Sequence, residues 1–165
     1  ACWEGLQSGT LELFSSDHCP FRYDDDSGKL NEKGKRHFRW IPNGIPGVET
    51  RLPILFSEGV SKGRIDINRF VALSSTNHAK QYGLYPQKGT IAIGSDADIA
   101  LWDPQKQVTI TNDILHHGAD YTPYDGLDVR GWPVRVLLRG KTIIDGPSST
   151  GALGQGAYLK RKRSS

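Results

Sequence analysis

The residue order predicts an α/β chain in which the end of an α/β unit is followed by a small β domain. Apolar residues recur at helical spacing over residues 50–85 and alternate at strand spacing over 89–146. Between a first apolar run and those helices lies a long, charged loop over 20–47. With 165 residues, the chain can bury a core of its own.

Residues 1–16 read as helix, then strand. Trp3 and Leu6 suit one face of a short helix, Gly9 ends it, and Leu11, Leu13 and Phe14 suit a strand that runs into Ser15-Ser16-Asp17-His18-Cys19-Pro20. The loop that follows is poor in apolar residues and closes with Ile41-Pro42-Asn43-Gly44-Ile45-Pro46-Gly47. Two prolines and two glycines fix an irregular backbone there, as a site built from main-chain groups requires. Leu52, Leu55 and Phe56 share a helix face, and Pro53 is tolerable only in a first turn, so that helix starts near Thr50. Asp66 caps a second helix carrying Phe70, Val71 and Ser74. Thr76 or Asn77 is expected to cap a third, His78 to Tyr82, with Gly83 beyond its end.

Strand signals then take over. Ile91 and Ile93 alternate before the turn Gly94-Ser95-Asp96, and Ile99 and Leu101 lead to a second turn at Asp103-Pro104. Val108 and Ile110 follow. Val134, Val136 and Leu138 alternate with Arg135, Leu137 and Arg139, and a hairpin at Gly140-Lys141 leads to Ile143 and Ile144. After Gly146 the composition turns to Ser, Gly and Lys, which predicts an extended arm.

Apolar and charged contents of 36% and 24% suit a soluble globular protein, and no apolar run of about 20 residues could span a membrane. The chain opens Ala1-Cys2-Trp3-Glu4, without a signal pattern, and contains no Met, so residue 1 is expected to be an internal cut. Cys2 and Cys19 have neither metal nor disulfide spacing and are read as reduced thiols in a cytoplasmic protein. Of the 21 Lys and Arg, four stand together in Lys160-Arg161-Lys162-Arg163, and the other 17 face 18 Asp and Glu. Basic character is thus a property of the tail, and no basic stripe with interleaved aromatics predicts nucleic-acid binding.

Three stretches carry a resemblance. They are Ser16-Asp17-His18-Cys19-Pro20-Phe21, Ile41 to Arg51 with its Pro42-Asn43-Gly44-Ile45-Pro46-Gly47 centre, and Gly94-Ser95-Asp96-Ala97-Asp98 to Pro104. Together with Ser74 to Lys80 and Gly83-Leu84-Tyr85-Pro86, they resemble the D-hydantoinases and dihydropyrimidinases, cyclic amidohydrolases of the amidohydrolase superfamily. The resemblance implies the C-terminal end of a (β/α)8 TIM barrel over 1–88, part of a β-sandwich over 89–146 and a C-terminal arm over 147–165. A barrel alone takes about 250 residues, so this chain would hold only its end.

What the resemblance implies for the site is a pair of divalent metals, usually zinc, bridged by a carboxylated lysine. Four histidines and one aspartate complete the ligands. Only the aspartate falls in this chain, as Asp17, at the C-terminal end of the expected strand. Asp17 would also take a proton as water attacks the ring carbonyl and hand it to the leaving ring nitrogen. Asn43 matches the position whose backbone groups hydrogen-bond the cyclic ureide. The whole protein is expected to be a homotetramer, its arm packed on a neighbour, and the piece alone to be inactive.

Blander readings stand beside these. Without the resemblance Asp17 is an ordinary turn or cap aspartate. His18 is read as a structural hydrogen-bonding residue, His78 as a helix residue, and Cys19 as packing. His116 and His117 are adjacent and point apart, Asp24-Asp25-Asp26 lacks the ligand spacing of a calcium loop, and Asp96 and Asp98 are turn and strand-edge residues. The rival functions are a non-catalytic dihydropyrimidinase-like assembly or signalling protein, against which Asp17 argues, and a sister enzyme such as allantoinase, against which the Asn43 setting argues.

Overall fold

The computed structural model describes residues 1–161; Lys162 and Arg163, the end of the basic run, lie outside the described residues. Helix α1 (Cys2–Ser8) ends at Gly9, whose φ of 93° is the left-handed stop expected there. The predicted strand over 11–16 is extended but forms no ladder. Its carbonyls are met by helix side chains instead. Arg69 donates to the carbonyls of Leu6 (2.6 Å) and Leu11 (2.9 Å), and Asn77 to that of Glu12 (2.8 Å). The Phe14 carbonyl receives Arg51 (2.5 Å) and lies 3.1 Å from His78 Nε2, while the Phe14 amide donates to Leu73 (3.0 Å).

The loop over 20–47 holds structure that its composition hid. Helix α2 (Glu32–Arg36) is capped by Asn31, whose side chain accepts the Gly34 amide at 2.8 Å, and a 3-10 turn (Phe38–Trp40) follows. Helix α3 (Arg51–Leu55) begins after Thr50 as predicted and widens into a π-helical stretch (Phe56–Ser61). Asp66 caps α4 (Ile67–Val71) through the Arg69 amide at 2.7 Å. The third helix is present as α5 (Asn77–Gln81), but it follows α4 through a π-helical stretch (Ala72–Thr76), so Thr76 is itself helical and makes no side-chain cap.

The sheet is antiparallel, four-stranded and ordered β1 (Ile99–Thr109), β2 (Asp128–Leu138), β3 (Lys141–Asp145), β4 (Ser148–Ser149). The Asp103-Pro104 turn lies inside β1 as a bulge: Asp103 accepts the amides of Gln105 (2.8 Å) and Lys106 (3.2 Å), and the register to β2 shifts there. The hairpin turns on Arg139 (φ 47°) and Gly140 (φ 79°), one residue earlier than predicted. Ile91 and Ile93 belong to no strand and are 85% and 108% exposed, since alternation without a hydrogen-bonding neighbour makes no sheet.

Helices and sheet share a core of Leu6, Leu55, Phe56, Ile65, Phe70 and Leu73, with Trp102 of β1 packed against it. Trp102 stacks on Phe56 with ring centres 5.0 Å apart and meets Phe70 edge-on at 5.4 Å. Ser57 accepts the Arg130 amide (3.1 Å) and Ser61 donates to the Arg130 carbonyl (3.0 Å), so α3 is tied directly to β2.

Candidate active site

Asp17 stands exposed at the end of the clasped segment, and among the described residues nothing hydrogen-bonds its carboxylate. The two residues after it lock this end to the loop over 41–47. His18 pairs with Ile45 as an isolated parallel bridge, and the Cys19 amide donates to the Ile45 carbonyl at 3.1 Å. His18 Nδ1 accepts the amides of Gly47 (3.0 Å) and Val48 (3.2 Å), which leaves the proton of the neutral ring on Nε2. His18 is therefore the structural residue expected.

Gly44 makes this junction possible. Its φ is 96°, and a Cβ on it would stand 2.3 Å from Cys19 Cβ. On the other side, Lys29 Nζ donates to the carbonyls of Pro42 (2.8 Å) and Gly44 (2.6 Å), which flank Asn43. Asn43 itself is exposed. The structure thus brings the Asp17 and Asn43 stretches onto neighbouring backbone. Lys29 went unnoticed in the sequence, where it is one lysine in a charged loop, and nothing local marks it.

Two acidic side chains anchor the surrounding loops. Asp120 accepts the amides of Tyr23 (2.6 Å) and Asp24 (3.0 Å), bonds that hold its carboxyl below the ordinary 3.8 against the opposing effect of burial. Glu49 accepts the His116 amide (2.7 Å) and lies 2.8 Å from His116 Nδ1. His117 accepts the Ala119 amide (3.2 Å) and turns its ring edge-on to His18, 6.5 Å between centres. The adjacent histidines engage different partners, as predicted.

The remaining candidates stay structural. Cys19 is a half-buried free thiol, and Asp25 accepts the amide and hydroxyl of Ser27 in an exposed turn. Asp96 and Asp98 both pair with Lys88, which lowers the Asp96 carboxyl pKa. No helix among the described residues is long and apolar enough to cross a membrane.

An exposed carboxylate, Asp17, thus stands at one side of a junction whose other side is a loop fixed by Gly44 and Lys29, on an α/β scaffold. Residues 1–143 match the amidohydrolase family, and the chain belongs to it. It is 46% identical over 161 residues to a D-hydantoinase of Ralstonia pickettii and 44% identical over 161 residues to one of Rhizobium radiobacter, in each case across 98% of this chain and 34% of the relative. A solved dihydropyrimidinase structure from Brevibacillus agri NCHU1002 superposes with a TM-score of 0.91 at 47% identity, over 97% of this chain and 34% of that one. The chain thus spans about a third of the length of the curated relatives it matches.

The family is metal-dependent. Asp17 carries the kind of oxygen donor such a centre takes, an exposed carboxylate with no competing hydrogen bond among the described residues. The described residues bring no three His, Cys, Asp or Glu side chains together, so by themselves they do not make up a complete ligand set.

Proposed function

We propose that this chain is part of a D-hydantoinase- or dihydropyrimidinase-type hydrolase that opens cyclic ureides to N-carbamoyl amino acids. The observation that carries the reading is the junction of Asp17 with the Asn43 loop through His18, Cys19 and Ile45. It couples a proton-carrying carboxylate to a rigid backbone that can hold an amide ring. Asn43 presents main-chain groups to the ring, and Gly44 lets the chain approach closely. Asp17 takes a proton from the attacking water; as the ring C–N bond breaks, that proton passes to the leaving nitrogen. Asp17 would hold one of two divalent ions, in this reading zinc, which when bound would supply Lewis-acid polarisation of the ring carbonyl. In this reading the other ligands, a carboxylated lysine and histidines, would come from outside this chain.

In the same reading residues 1–88 end a TIM barrel, 89–146 form part of a β-sandwich, and 147–165 are an arm that packs on a neighbour in a cytoplasmic homotetramer. The exposed Leu153 and Tyr158 supply apolar contacts for that arm. The test is Asp17→Ala in the longer protein that carries this segment, measured on hydantoin and dihydrouracil with metal content alongside. The expected result is a loss of about a thousandfold in kcat/KM. Full activity in the variant would sink the proposal.

A further inference from the structure

We infer that Lys29 is a positioning residue for the substrate, a role that rests on the reading of Asn43 given above. The Lys29 ammonium donates to Pro42 O at 2.8 Å and Gly44 O at 2.6 Å, and so grips the backbone on both sides of Asn43. In a trans peptide the C=O and the following N–H point opposite ways. Drawing the Pro42 carbonyl toward Lys29 therefore turns the Asn43 N–H away from it. Among the described residues the Asn43 N–H and C=O have no hydrogen-bond partner, so both stay available to a ligand carrying an amide edge.

Lys29 is not an ordinary surface lysine. It is half-buried, and among the described residues no carboxylate pairs with it. Its own backbone is held by a bond from its amide to Arg22 O (3.0 Å), and its neighbourhood by Asn31 Nδ2, which donates to Gly28 O (2.7 Å) and Trp40 O (2.9 Å). A buried Gly28 sits just before it, where a Cβ would stand 2.6 Å from Arg22 O. The loop around α2 is thus a fixed mount for one ammonium, and that ammonium sets the direction of the Asn43 peptide. A charge-assisted bond to each carbonyl makes the setting stiff.

The test uses the full-length protein carrying Lys29→Met and, separately, Lys29→Arg. Hydrolysis of hydantoin, metal content and amide hydrogen exchange are measured together. Lys29→Met is expected to raise KM about tenfold with kcat changed less than about threefold, to keep its metal, and to speed exchange at Asn43 and Gly44 while Val129 in the sheet stays protected. Lys29→Arg, which restores donors, is expected to recover part of the KM. Unchanged KM and unchanged exchange would overturn the inference, as would a fall in kcat with KM unchanged or a loss of metal. If the unaltered protein does not hydrolyse cyclic ureides while Lys29→Met still speeds exchange at Asn43, the grip stands and the functional reading fails. If Lys29→Met does not fold, the Lys29→Arg variant carries the test: a KM raised by less than about tenfold, with faster exchange at Asn43 and wild-type kcat and metal, supports the role, and wild-type KM and exchange overturn it.

Discussion

Phe56 lies so close over Gly131 that a Cβ on the glycine would stand 2.1 Å from Phe56 Cδ1. Gly131 also has a φ of 96°, so two independent constraints fall on one position. Gly131→Ala is expected to destabilise the fold by about 3 kcal/mol, read by chemical denaturation. Combining it with Phe56→Leu should cost less than the two single changes together, because the smaller side chain relieves the clash. An additive double variant would show that the ring does not constrain this site.

Gly44→Ala forces apart the Cys19 and Asn43 stretches, since the new Cβ would meet Cys19 Cβ at 2.3 Å. The expected result is a fall of about tenfold or more in kcat/KM on hydantoin for the full-length protein, with metal content retained. Activity within twofold of the unaltered protein would separate Asn43 from the reaction.

His18 accepts two amides through Nδ1. His18→Ala leaves both amides without that acceptor and should cost about 2 kcal/mol. His18→Asn, whose side-chain oxygen can take the place of Nδ1, should recover most of it. Metal content measured by elemental analysis should be the same in both, and a missing ion in His18→Ala would assign His18 to the metal.

The carboxylate of Asp120 holds the loop over 21–30 through the Tyr23 and Asp24 amides, and these bonds depress its pKa. A depressed acid stabilises the fold fully above its unfolded value near 3.8 and ceases to do so as pH falls through the lower folded value. Exchange at the Tyr23 and Asp24 amides, taken relative to the intrinsic rate at each pH, should therefore quicken in acid. Asp120→Asn, with one acceptor oxygen in place of two, should quicken it already at neutral pH. An identical pH profile in the variant would remove Asp120 from the anchor.

Local chemistry was legible in the sequence. Thr50 with Pro53, Asp66, Gly9 and Gly83 mark helix ends through the few residues beside them, and each marks an end in the structure. Asn31 followed by Glu32 carried the same kind of signal for α2 but was masked by the charges around it. Long-range pairing was not legible. The first half of β2 contains Gly131 and Pro133, residues that argue against a strand, and its register to β1 shifts on both sides of the pairs made by Trp132 and Pro133. Lys29 and Asp120 act on backbone 13 to 97 positions away, so no window along the chain contains both partners. At the candidate site, Asp17 and Asn43 are proposed on the resemblance, while the groups that hold their stretches in place are visible only in the fold.

The segment leading to Asp17 owes its course to Arg69, Asn77, Arg51 and His78 and to no flanking strand. Its direction is thus set before any neighbour arrives. A ligand or segment that meets it would find this backbone already ordered, and the entropic cost of the encounter would fall on the incoming partner.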